Sequence, residues 1–153
     1  NVDVPALTGE FRRFLLDKEY VIVMDVGGDD AGALVAGRYR NELLDCGAVI
    51  YFVINCFRPE TSTVPGVLRI LREIRKSSGM EIDYLINNSH LLEDTTVDDI
   101  IRGIEFSREI SSITNIPVAF HAVMRETGLE LEKLAFEPVF LMNRIINFPD
   151  IAE

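Results

Sequence analysis

The chain alternates short apolar runs with longer amphipathic stretches. Tyr20–Asp25, Ala48–Asn55, Ile82–Asn87 and Ile116–His121 are rich in Val, Ile and Phe, and each ends on Asp, Asn or His. Runs of that length and composition predict strands buried on both faces. Pro117 suits the start of the last one better than its middle, because it cannot donate to a ladder. Between the runs the apolar period changes. Val64, Val67, Leu68, Leu71 and Ile74 share one helical face, with Thr63 placed to cap it, Pro65 in its first turn and Gly79 just past its end. Val97, Ile100, Ile101, Ile104, Ile110 and Ile113 form the next such face, and Thr95 and Thr96 ahead of Asp98 and Asp99 resemble a capping box. Ala31–Leu44 is expected to be helical in part, broken at Gly37. Leu7–Leu16, with Thr8 as a cap, predicts a short helix, and so does Leu129–Leu134. An apolar segment ending near Ile146 closes the tail.

Strands separated by helices imply right-handed crossovers. The expected fold is therefore α/β, with three layers: a mostly parallel sheet and helices on both faces. No repeat, low-complexity tract or linker interrupts residues 1–153, so they read as a single domain.

Composition narrows the picture. Of the 153 residues, 48% are apolar, enough for a core and against disorder. No apolar run reaches the roughly 18–20 residues that span a bilayer. The net charge of −10 argues against a nucleic-acid surface, where affinity comes from clustered cations. Arg69, Arg72, Arg75 and Lys76 lie close together, but at a spacing that suits one solvated helix face. Cys46 and Cys56 would stand about 30 Å apart along a strand at roughly 3.3 Å per residue, far beyond disulfide reach. Free thiols suit a reducing compartment, and a cytoplasmic location is expected. The first residue is Asn1, with no signal-peptide pattern after it.

Ligands of parallel sheets collect at the carboxyl ends of the strands. Here those ends carry Asp25 to Asp30, Asn55 to Arg58, Asn87 to His90, and His121. Asp25 ends an apolar run and is followed by Gly27 and Gly28, the form of a Walker B segment. An Asp there can hold hydrated Mg2+, and a glycine just beyond lets the backbone N–H approach a terminal phosphate. The plainer reading is that Asp25 caps a turn that the glycines tighten. Asp25, Asp29 and Asp30 also form a possible divalent-metal cluster without nucleotide. His90 and His121 suit acid–base work, although single histidines at such places are more often structural.

Three strings occur in order at strand ends: Asp25-Val-Gly-Gly-Asp-Asp-Ala-Gly-Ala33, Val53-Ile-Asn-Cys-Phe-Arg-Pro-Glu-Thr61 and Leu85-Ile-Asn-Asn-Ser-His90. Together they resemble the ParA/MinD-type (CobQ/CobB/MinD/ParA) P-loop ATPases, over roughly residues 20 to 125. The resemblance implies Mg2+ and ATP as cofactors of the complete protein. It implies Asp25 in the metal shell, Gly27 or Gly28 near the γ-phosphate, and Asn87 or Asn88 against the base. Arg58 would contact a phosphate or a partner, or stack in its loop.

One hallmark is missing. The Gly-rich loop with its Lys-Ser or Lys-Thr pair occurs nowhere in the sequence. The resemblance thus covers the C-terminal portion of such a nucleotide-binding domain. This chain alone is expected to be inactive in ATP hydrolysis. It is also expected to pair, across the gap left by the phosphate-loop strand, with a missing N-terminal segment or another copy of itself, as in a homodimer; otherwise its strands would close over the gap in a rearranged order. The alternatives are a non-enzymatic interaction module and a metal-dependent hydrolase using the Asp25, Asp29 and Asp30 cluster.

Overall fold

The computed structural model describes residues 13–15, 17, 19–127 and 138–143. Its sheet has four strands in the order β1-β2-β3-β4: Tyr51–Ile54, Tyr84–Asn87, Val118–Met124 and Val139–Met142. Every neighbouring pair is parallel. The helices are α1 (Asp30–Gly37), α2 (Arg40–Asp45), α3 (Val64–Ser78) and α4 (Val97–Thr114). The α/β class and the parallel sheet are those expected, and the arrangement is compatible with a three-layer Rossmann-like fold.

The long helices begin and end where local chemistry directs. Thr63 accepts a hydrogen bond from the Gly66 amide at the start of α3, and Gly79 closes it with φ 66°. Thr96 and Asp99 form a reciprocal capping box on α4. The Thr96 hydroxyl and amide also hold the Asp99 carboxyl below its usual pKa. Asn115, in the left-handed region, ends that helix.

Successive right-handed crossovers that advance in one direction place their helices on the same face. Phe52, Ile54 and Leu85 of the sheet accordingly pack with Val67, Ile70 and Leu71 of α3 and Ile110 of α4. Ile100 and Ile104 of α4 cover Val123, Val139 and Leu141. Helix α1 lies against α3, so close that a Cβ on Gly37 would stand 2.9 Å from the Ser77 carbonyl oxygen. On the other face Tyr51 stacks on Tyr84 and Phe120 meets Phe140, and of these Tyr51, Tyr84 and Phe140 stay exposed, as does Val53.

Four expectations change. Tyr20–Asp25 is not a strand: residues 20–27 join no ladder, and Val21 and Val23 are 97% and 89% exposed. An apolar run becomes a strand only where a neighbour takes its main-chain groups, and among the described residues none does. The last predicted strand runs on past His121 to Met124, because Ala122, Val123 and Met124 continue the pleat against β4. The apolar tail segment contributes strand β4. The strands also do not close over a gap in a rearranged order, since they follow chain order from β1. Residues 13–15 are helical. The rest of the first predicted helix and all of Leu129–Leu134 fall outside the described residues.

Candidate functional site: the carboxyl edge of the sheet

Strands β1 and β2 end side by side, Ile54 beside Asn87, and each leads into a polar loop. The Asn88 amide donates to the Ile54 carbonyl at 2.8 Å, carrying the pairing one residue past β2. Beyond it the loops are tied together. Asn55 Nδ2 donates to the His90 carbonyl at 3.3 Å, and the Cys56 amide donates to Ser89 Oγ at 3.0 Å. Asn55 Oδ1 accepts from the Phe57 amide, and the Thr61 hydroxyl donates to the Asn55 carbonyl at 2.6 Å. The result is a short, hydrogen-bonded turn that presents Arg58 beside His90. Burial, and then the Arg58 charge, lower the His90 pKa. His90 Nδ1 accepts from the Leu92 amide at 3.2 Å, so the imidazole also shapes its own loop.

Asn87 and His121 sit deeper, in the row that continues from Ile54. Asn87 Oδ1 accepts from the Ser89 amide at 3.1 Å, which leaves Nδ2 to donate to His121 Nδ1 at 3.1 Å. That geometry places the proton of the neutral imidazole on Nε2. His121 is fully buried, and its pKa is lowered to about 4, by burial first and then by the Arg108 charge. It is a mid-strand core residue, not a strand-end group, which corrects its expected position. Asn87 is likewise turned into the core beneath α4. Of the two asparagines expected against a base, Asn88 is the less buried. Its Oδ1 is shielded from water and has no hydrogen-bond partner among the described residues. Leaving such an atom unpaired costs about 1–3 kcal/mol.

Among the described residues no hydrogen bond brings Asp25, Gly27 or Gly28 to this edge. They are exposed, in a segment that precedes α1. Asp29 caps α1, its Oδ1 accepting from the Gly32 amide at 2.8 Å. Gly32 is needed for that turn, since a Cβ there would fall within 2.3 Å of the Gly27 carbonyl oxygen. Gly32 therefore has a local structural task, whereas a Cβ on Gly28 would meet nothing within 4 Å. The Asp30 side chain lies outside the described residues. Among the described residues no group of three or more His, Cys, Asp or Glu is arranged to hold a metal ion.

Two contributors escaped sequence reasoning. Arg102 of α4 reaches back over the Phe57 ring, at 5.5 Å from its centroid, and pins the loop after β1. Gly103, one residue on, lets α4 approach the loop after β2: a Cβ there would stand 2.6 Å from Ser89 Cβ. A glycine interrupting an otherwise apolar helical face was the one available signal for this close approach. Cys46 is exposed, Cys56 is buried, and both are free thiols. No described helix is long and apolar enough to cross a membrane.

Comparison of the chain with protein-family models, with curated proteins and with solved structures returned no match.

Proposed function

We propose that the chain is the base-binding portion of a nucleotide-binding ATPase domain of the ParA/MinD type, inert in hydrolysis by itself. The observation that carries this reading is the carboxyl edge of β1 and β2, where the Asn55 carbonyl accepts from the Arg58 amide and Asn55 Nδ2 donates to the His90 carbonyl, while Asn88 Oδ1 has no hydrogen-bond partner among the described residues. Parallel sheets bind ligands at that edge. Asn88 Oδ1 suits the exocyclic N–H of adenine. Arg58 offers a planar cation to a ring or a phosphate oxygen.

The phosphate side fits less well. A triphosphate needs a cradle of backbone N–H groups, a lysine and a metal-holding hydroxyl, and the sequence contains no loop of that form. Asp25 stands ready for a metal shell only when a neighbouring strand organises its segment. No step of phosphoryl transfer is therefore assigned to this chain, and the role of Asp25, Gly27 and Gly28 belongs to the completed domain.

The test is an adenosine titration followed by backbone amide shifts. The expected result is saturable perturbation at residues 55–58 and 88–90, with a dissociation constant on the order of 1 mM, or roughly −4 kcal/mol. Asn88→Ala and Arg58→Ala should each weaken it. Shifts scattered elsewhere, or none at several millimolar, would remove the reading.

A second reading has its own observation. The uncharged, exposed run at Val21 and Val23 and the exposed Tyr51 and Val53 favour a protein-interaction module. In that case Asp25→Ala leaves function intact. Under the ATPase reading it abolishes Mg2+-ATP turnover in the complete protein.

A further inference from the structure

In the loop after β2, Leu92 stands at φ 58°, in the left-handed region that Cβ sterics make costly for an L residue. Among the described residues one other non-glycine residue has positive φ, Asn115, and it ends α4 as a residue type that tolerates the region. Leu92 is 64% exposed, so burial of its side chain does not hold it there. Hydrogen bonds do. The Leu92 amide donates to His90 Nδ1 at 3.2 Å, and the Thr95 hydroxyl donates to the Leu92 carbonyl at 2.7 Å. Thr95 Oγ1 also accepts from the Leu91 amide at 2.8 Å. Asn55 Nδ2 holds the His90 carbonyl from the loop after β1, so the start of the turn is fixed.

Of these partners only the imidazole changes its role with pH. The neutral ring, with its proton on Nε2, accepts at Nδ1. The charged ring donates at both nitrogens, and its Nδ1–H would then face the Leu92 N–H. The closed turn and the charged ring exclude each other.

We infer that His90 is a pH-dependent latch on residues 91–94: the neutral ring holds Leu92 in its left-handed conformation, and protonation releases the turn. Burial, and then the Arg58 charge, lower the His90 pKa from its ordinary 6.5. The latch is therefore closed at neutral pH and opens as the pH falls through a midpoint below 6.5. Among the described residues Arg58, on the loop after β1, is the charge that acts on the ring. Glu93 and Asp94 follow Leu92 on the same loop. From α4, Asp99 is engaged with Thr96 in the capping box, and Arg102 lies over Phe57. This inference does not depend on nucleotide binding.

The test is an NMR titration of the chain from neutrality down through the His90 midpoint. It follows the His90 ring resonances, the Leu92 three-bond HN–Hα coupling, which reports φ, and the Leu92 amide protection factor. The expected result is one midpoint for all three, with protection falling by at least about tenfold as the ring charges. His90→Asn supplies an acceptor oxygen that does not titrate. It should leave the Leu92 coupling and protection flat over the same range. Protonation of His90 with an unchanged Leu92 coupling would overturn the inference. So would a Leu92 transition that persists in His90→Asn, or one whose midpoint differs from that of the ring. If His90→Asn does not fold, the coincidence of midpoints in the unmodified chain decides alone.

Discussion

Gly103→Ala is the most informative single substitution, because it tests the contact that holds α4 against the loop after β2 at the carboxyl edge of the sheet. The new methyl would stand 2.6 Å from Ser89 Cβ, 2.9 Å from Ser89 Oγ and 3.1 Å from Asn87 Oδ1. Carbon pairs prefer roughly 3.5–4.0 Å, so about 1 Å of retreat is required. Ser89 cannot retreat freely. It is buried, its Oγ accepts from the Cys56 amide, and its own amide donates to Asn87 Oδ1. Overpacking of this kind costs about 1–3 kcal/mol, and a lost buried hydrogen bond adds about 1–3 kcal/mol. Replacing glycine by alanine in a helix returns about 1 kcal/mol. The clash wins, and a net loss of about 1–5 kcal/mol is expected. Urea denaturation followed by circular dichroism measures it as a lower midpoint at unchanged slope. Gly28→Ala is the control, because nothing lies within 4 Å of its Cβ position. Adding Ser89→Gly to Gly103→Ala removes the opposing Cβ and should restore part of the loss beyond additivity. A Gly103→Ala protein as stable as the parent would refute the reasoning.

His121 should make stability fall in acid. Its folded pKa of about 4 lies below the ordinary 6.5, so the unfolded chain takes up the proton first. Its contribution is absent above pH 6.5. It then subtracts roughly 1.4 kcal/mol per pH unit down to about pH 4, and His121→Gln should flatten the profile in that window relative to the parent. An identical pH slope in both proteins would count against a buried neutral imidazole. Asp29→Ala should cost about 1 kcal/mol by removing the α1 cap, and Asp29→Ser should recover most of it. If only a carboxylate restores stability, charge rather than capping is the role of Asp29.

Much of the fold could be read from local chemistry. The caps at Thr63 and Thr96, the Gly79 terminus and the break near Gly37 were visible because each depends on residues within a turn or two. The parallel sheet followed from strand and helix periods alternating along the chain. What could not be read depends on partners distant in sequence. Tyr20–Asp25 has the composition of a strand, but pairing requires a neighbour, and composition does not supply one. Val139–Met142 becomes a strand because β3 extends to meet it. At the site, Arg58, Asn88 and His90 were identifiable as strand-end polar residues. The inward turn of Asn87 toward His121 was not, because it depends on α4 closing over both.

The central claim is that this chain carries the base side of a nucleotide site and not the phosphate side. Parallel titrations with adenosine and with Mg2+-ATP test it directly. Equal millimolar affinities, both weakened by Asn88→Ala, are the predicted result, because the triphosphate finds no cradle. Mg2+-ATP binding more than about tenfold tighter than adenosine, some 1.4 kcal/mol, would show that phosphate contacts are present after all. Failure of either ligand to move the amides of residues 55–58 and 88–90 would show that the edge is not a nucleotide site.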